Sequence, residues 1–168
     1  DDLVAGIRYA MVDDYHLLCS GKRADELDGY FSTEEGGVRL DLFPISEALR
    51  YRLPFAPAAE VGAYLEGLAA NGQAAAIYFD DIEKFGIWPQ THEWVYARGW
   101  LRALFEGVLA SARIRSASYA EFHAARPSRG LVYPPSIAYR EMNAWALPPP
   151  AAAEYAGLTD TGSISPAS

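Results

Sequence analysis

The sequence predicts an α/β fold built on parallel strands. Two apolar runs carry that reading. Ile7-Arg8-Tyr9-Ala10-Met11-Val12 leads into Asp13-Asp14, and Ala74-Ala75-Ala76-Ile77-Tyr78-Phe79 leads into Asp80-Asp81. Helical patterns lie between and after them, an alternation that implies right-handed crossovers between parallel strands. Both aspartate pairs therefore fall at carboxyl strand ends on one side of the sheet, where barrel and open α/β folds place their sites.

The elements follow in order. Asp2-Leu3-Val4-Ala5-Gly6 reads as the last turn of a helix stopped at Gly6, so the chain is expected to begin mid-protein. After the strand at 7–12 comes an irregular insertion. Within it Tyr30-Phe31-Ser32-Thr33 and Val38-Arg39-Leu40-Asp41-Leu42 flank Glu34-Glu35-Gly36-Gly37, a hairpin whose glycines supply positive φ. Ser46 is placed to cap a short helix. Pro57 opens a longer one, with Val61, Tyr64, Leu65 and Leu68 on one stripe and Asn71-Gly72 as its stop. The run at 74–79 reads as a strand buried on both faces. Thr91 is placed to cap a helix over 93–110, and 114–117 reads as a weak strand. Ser118 and Glu121 then form a capping box. The stretch 148–168, rich in Pro, Ala and Ser, is expected to be disordered.

Composition narrows the function classes. A net charge of -8 without a basic patch argues against nucleic-acid and anionic-membrane partners. No apolar run reaches the roughly 18 residues that a membrane span needs. The single cysteine, Cys19, has no internal disulfide partner and suits a reducing, cytoplasmic compartment. Aromatic residues make up 13% of the chain, with 4 Trp and 11 Tyr. Sugars stack their C–H faces on such rings, although an aromatic core explains most of the excess.

The segment Asp80-Asp81-Ile82-Glu83-Lys84-Phe85-Gly86-Ile87-Trp88-Pro89-Gln90-Thr91, followed by Glu93-Trp94-Val95-Tyr96, resembles the fourth conserved region of glycoside hydrolase family 57, especially its 4-α-glucanotransferase branch. The resemblance runs from about Ile7 to Leu147. It passes through Val12-Asp13-Asp14-Tyr15-His16, Leu42-Phe43-Pro44-Ile45, Arg50-Tyr51-Arg52-Leu53-Pro54-Phe55 and Gly130-Leu131-Val132-Tyr133. Ile82 and Gln90 depart from it, standing where glycine is usual. The resemblance implies that residues 1–147 are the C-terminal part of a catalytic β/α barrel of the TIM type, incomplete and seven-stranded, and the start of the helical region that follows.

It also implies roles. Asp81 falls on the family's general acid/base, and Trp88 on an active-site tryptophan. A retaining glycosidase pairs such an acid with a nucleophilic carboxylate about 5–5.5 Å away. The family's nucleophile is a glutamate expected upstream of Asp1. None of Glu26, Glu34, Glu35, Glu47 or Glu60 has its setting. Asp81 must begin protonated, which burial and the neighbouring Asp80 and Glu83 would favour. Asp80, Glu83, Asp14, His16 and Trp88 are the expected substrate contacts. Lys84 and His92 have sugar hydroxyls or solvent as competing partners, and Trp94 and Trp100 read as packing residues.

The leading reading is a fragment of a retaining 4-α-glucanotransferase acting on an α-glucan or malto-oligosaccharide, without a cofactor. The alternatives are an α-amylase-type hydrolase, a non-catalytic α-glucan-binding module, and a metal-dependent deacetylase-like hydrolase using the strand end with Asp13, Asp14 and His16 beside the one ending in Asp80-Asp81. The resemblance implies no catalytic metal.

Overall fold

Residues 6–160 of the chain are described by a computed structural model, and their centre is a three-stranded mixed sheet in the order β1-β3-β2. Strand β1 (Tyr9–Asp13) runs parallel to β3 (Val38–Ile45), and β2 (Phe31–Glu35) runs antiparallel to it. β2 and β3 are the expected hairpin. Glu35 pairs with Val38, and Gly36 and Gly37 turn the chain at φ 59° and 83°, the positive angles of a two-residue type I′ turn. A bridge from Ser32 to Leu131 borders β2 on its other side.

Both serine caps form as expected. Ser46 accepts the Leu49 N–H at the start of α2 (Glu47–Arg52), after the short α1 (Asp14–Leu18). Ser118 and Glu121 close the capping box of α5 (Tyr119–Ala125). Helix α3 (Ala58–Ala70) follows Pro57 and ends at Asn71, and it packs on α4 (Trp100–Ala110). Val61, Leu49, Leu53, Trp100 and Leu104 form one core cluster, with Tyr64 and Leu65 against it. Trp94 and Trp100 do pack: their indole N–H groups donate to the carbonyls of Pro54 (2.6 Å) and Ala56 (2.7 Å). A second layer joins Tyr30, Phe43 and Ile77 to Tyr119 and Phe122 across the sheet. Among the described residues, no helix is long and apolar enough to cross a membrane.

Several elements differ from expectation. Residues 74–79 run extended beside β3 but form no ladder, and only Ile77 is buried there while Phe79 is 48% exposed. The cause lies in β3. Asp41 donates its N–H to the carbonyl of Arg8, just before β1, so the amides of opposite parity beyond it, at 44 and 46, point to the other side. Position 44 is proline and has no N–H. Only Ser46 donates across, to the Ile77 carbonyl at 2.9 Å.

The helix expected over 93–110 is broken: a π-helical turn at Glu93–Ala97 ends before Gly99, whose φ of 73° resets the chain for α4. Thr91 does not cap it, because its hydroxyl donates to the Trp88 carbonyl at 2.7 Å. Residues 114–117 form no strand. The expected disorder from 148 is replaced by α7 (Pro149–Asp160), preceded by α6 (Arg140–Trp145). Proline suits a helix's first turn, and the alanines after it have the highest helix propensity. The expected helix remnant at 2–5 and the end at 161–168 lie outside the described residues.

Candidate active site

The carboxyl end of β1 and the end of the 74–79 segment meet around a cavity of about 330 Å³. Asp13, His16, Arg50, Asp80, Asp81 and Tyr139 line it, with Met11, Val12, Ile45 and Phe79 as the apolar walls. The aspartates of the two segments thus converge on one side, as the crossover argument requires.

Arg50, from α2, joins them. Its Nη1 donates to Asp13 Oδ2 (3.2 Å) and its Nε to Asp80 Oδ1 (3.3 Å). Burial opposes the guanidinium charge, but the two carboxylates outweigh it and hold the Arg50 pKa above its ordinary value. Asp80 is saturated: Lys84 Nζ (2.6 Å) and the Tyr78 hydroxyl (3.3 Å) donate to Oδ2, and the Asp81 N–H (2.9 Å) donates to Oδ1. Burial raises the Tyr78 phenol, and the adjacent Asp80 charge raises it further.

The Asp80 side chain is 1% exposed, so the expectation that it contacts substrate does not fit its surroundings. Lys84 is buried as well, with its ammonium on the Arg50 carbonyl at 3.1 Å, and does not reach solvent hydroxyls. Asp81 stands at the cavity with an exposed side, and Glu83 is exposed on the turn after it.

Trp88 flanks the cavity without lining it. Its ring stacks on Phe55, with centroids 6.0 Å apart and planes at 27°, and stays 41% exposed. Gln90, where the resembled family has glycine, takes φ 67°, a left-handed conformation that costs a non-glycine residue about 1 kcal/mol. His16 faces the cavity between two carbonyls, with Nδ1 3.2 Å from Asp13 O and Nε2 3.1 Å from Ile137 O. The second contact ties α1 to the segment that brings in Tyr139.

Asp14 does not join this group, contrary to the expectation. β1 ends at Asp13 and Asp14 begins α1, so the chain turns between the two carboxylates. Asp13 faces the first cavity, and Asp14 faces a separate one of about 360 Å³ between β3, α3 and residues 73–77. There its Oδ2 accepts the Glu47 N–H at 3.0 Å, at the start of α2. The metal alternative also finds no support in this geometry. Arg50 occupies the space between Asp13 and Asp80, and no group of three or more His, Cys, Asp or Glu suited to a metal occurs among the described residues.

Burial, with the Asp13 and Glu47 charges, raises the Asp14 carboxyl to about 6 against the Glu47 N–H that lowers it. A raised carboxyl favours folding while protonated. That contribution is complete below the unfolded value of 3.8 and is lost as pH climbs through about 6. Asp14→Asn keeps the acceptor for Glu47 and removes the titration. The variant is expected to gain on the order of 1–2 kcal/mol at pH 7 relative to pH 4, by urea unfolding at both values. Equal differences at the two pH values would refute this.

Arg50 and Tyr139 are the contributors that sequence reasoning did not nominate. Arg50 stands within one of the resembling segments, but nothing in its local pattern distinguishes it from Arg52. Tyr139 comes from a remote segment without a motif.

Aspartates from the end of β1 and from the end of the 74–79 segment thus gather at one cavity of an α/β fold, beside an exposed aromatic pair. The chain belongs to glycosyl hydrolase family 57, whose sequence model matches residues 4–135. It is 44% identical over 145 residues to the 4-alpha-glucanotransferase of Thermococcus litoralis and 46% identical over 145 residues to the alpha-amylase of Pyrococcus abyssi. Each match covers 86% of this chain and 22% of the relative. The crystal structure of the Thermococcus litoralis 4-alpha-glucanotransferase matches the fold with a TM-score of 0.87 at 42% identity, over 94% of this chain and 26% of that one. The chain thus spans about a quarter of the length of these proteins.

Proposed function

We propose that this chain forms the acid side of a retaining active site acting on α-glucans or malto-oligosaccharides, within an incomplete seven-stranded barrel. The observation that carries the reading is Asp81, exposed at the cavity mouth with its backbone held by Asp80. Asp81 gives its proton to the glycosidic oxygen as that bond breaks. A carboxylate attacks the sugar's anomeric carbon and forms the covalent glycosyl intermediate. Asp81 then takes a proton from the incoming acceptor, whose oxygen displaces the carboxylate. A sugar hydroxyl as acceptor makes the reaction a 4-α-glucan transfer, and water makes it hydrolysis. Transfer is the preferred reading, supported by the glucanotransferase relatives.

No glutamate lines the cavity, and Asp13 and Asp80 are both engaged by Arg50. In this reading the nucleophile is the upstream glutamate that the family resemblance implies. Trp88 supplies a stacking face at the edge, and Glu83, exposed on the turn after Asp81, is the remaining candidate for a sugar hydroxyl.

The test compares the full-length protein with the 168-residue chain on maltotriose. Full-length protein is expected to yield both longer and shorter oligosaccharides, and the chain alone none. Shorter products only would make it a hydrolase. No product at all from the full-length protein would refute the reading. Disproportionation by the 168-residue chain would place the nucleophile within it.

A further inference from the structure

Lysine is almost never buried without a partner, because its ammonium loses hydration. Lys84 is nonetheless 5% exposed. It sits one helical turn after Asp80 and meets two oxygens, Asp80 Oδ2 at 2.6 Å and the Arg50 carbonyl at 3.1 Å. Its other neighbours are aromatic: the Trp88 centroid lies 5.5 Å from Nζ, and the Phe55 centroid 5.9 Å. Both separations fall within the range of cation–π attraction. The two rings stand where a third acceptor would otherwise be needed.

We propose that Lys84 is a positioning residue that sets the proton donor and the aromatic face of the site together. On one side its ammonium fixes the Asp80 carboxylate, which in turn accepts the Asp81 backbone N–H. On the other side it holds the stacked pair of Phe55 and Trp88. A lysine serving stability alone has no reason to touch both elements. Here one buried charge fixes the distance between the acid's backbone and the ring expected to face the sugar. The inference rests on the reading of Asp81 as the proton donor, and on no substrate contact by Lys84 itself.

The experiment uses the full-length protein and two substrates that differ in their need for a proton. Cleaving maltotriose expels a sugar hydroxyl, a poor leaving group that requires the acid, whereas cleaving α-maltosyl fluoride expels fluoride, which requires little protonation. Lys84→Met keeps the length of the side chain and removes its charge. It is expected to lower kcat/KM on maltotriose by about 10- to 100-fold, a fraction of the full effect of general acid catalysis, and to change kcat/KM on α-maltosyl fluoride, which reports only the fluoride-releasing step, by less than about threefold. Lys84→Arg is expected to recover part of the loss. Should Lys84→Met fail to fold, the charge-balanced pair Lys84→Met/Asp80→Asn takes its place under the same criteria.

Equal losses on the two substrates would overturn the proposal, because they report general damage and not a displaced acid. Asp81→Asn run in parallel separates the two failures. If Asp81→Asn shows the substrate-dependent loss and the Lys84 variants do not, the positioning role alone is wrong. If Asp81→Asn shows no such loss, the proton-donor reading fails and the positioning proposal falls with it.

Discussion

Asp81→Asn is expected to slow turnover of malto-oligosaccharides by about 10²- to 10⁴-fold while substrate binding stays close to its original strength. The amide has nearly the shape of the carboxyl but no proton to give to the glycosidic oxygen. Nothing else about the site should move. The Asp81 side chain makes no hydrogen bond on which the described structure depends, and the contact that locates it, N–H to Asp80 at 2.9 Å, belongs to the backbone. The Trp88–Phe55 stack and the Arg50 bridge are likewise independent of the residue's charge. Loss in kcat without loss in affinity is the signature of an interaction made only in the transition state. The measurement is kcat and KM on maltotriose, with binding followed separately by calorimetry. A variant that retains near-normal kcat would remove Asp81 from the mechanism.

Asp80→Ala is expected to be the most destabilising single change near the site, by about 3–5 kcal/mol. Four charges meet here: Asp13, Arg50, Asp80 and Lys84, two of each sign. Removing Asp80 leaves Arg50 with Asp13 but leaves Lys84 with only a carbonyl and two rings. A buried charge stripped of its counter-ion keeps its desolvation cost and loses its compensation. The Tyr78 hydroxyl and the Asp81 N–H lose their acceptor in the same step. Urea unfolding at pH 7 measures the difference. A change below about 1 kcal/mol would mean that water readily replaces Asp80 around the ammonium. The exposed pair of Arg23 and Asp25 provides the contrast: both partners already face solvent, so its loss should hardly register.

Much of this architecture was legible where local chemistry decides the conformation. Gly36-Gly37 dictates a tight turn, Ser46 and Ser118 offer caps, and apolar spacing places Val61 and Tyr64 toward a core. The convergence of Asp13, Asp80 and Asp81 followed from strand direction alone.

What failed depended on partners far away in sequence. An apolar run at 74–79 predicts a strand, but whether it ladders depends on the amides of its neighbour, and Pro44 withholds one. The helix pattern over 93–110 gives no weight to a single Gly99 that takes a left-handed turn. Adjacency groups Asp14 with Asp13, although the strand ends at Asp13 and the helix that begins at Asp14 sets its carboxyl in the second cavity. Arg50 and Tyr139 enter the cavity by tertiary placement, for which one sequence has no local sign. Lys84 looked like a solvated loop charge because nothing around it in sequence announces a cover of two aromatic rings.

The lone tie between Ser46 and Ile77 divides the molecule into regions of unequal local stability. β3 is bound by ladders on both sides over part of its length, whereas the backbone leading to Asp81 hangs on scattered anchors. These are the Ser46 N–H, the Asp28 carboxylate on the Ala74 N–H, and the Tyr119 hydroxyl on the Tyr78 carbonyl. Such a segment opens without the sheet melting, as a subglobal unit of its own. Its amides would exchange with solvent through that opening, while those of β3 wait for global unfolding. The stability of the sheet and the placement of Asp81 are then separate properties. Substitutions in the hairpin can raise the first without stiffening the second, and removing only the Tyr119 hydroxyl (Tyr119→Phe) can loosen the second while its ring stays packed on Phe43.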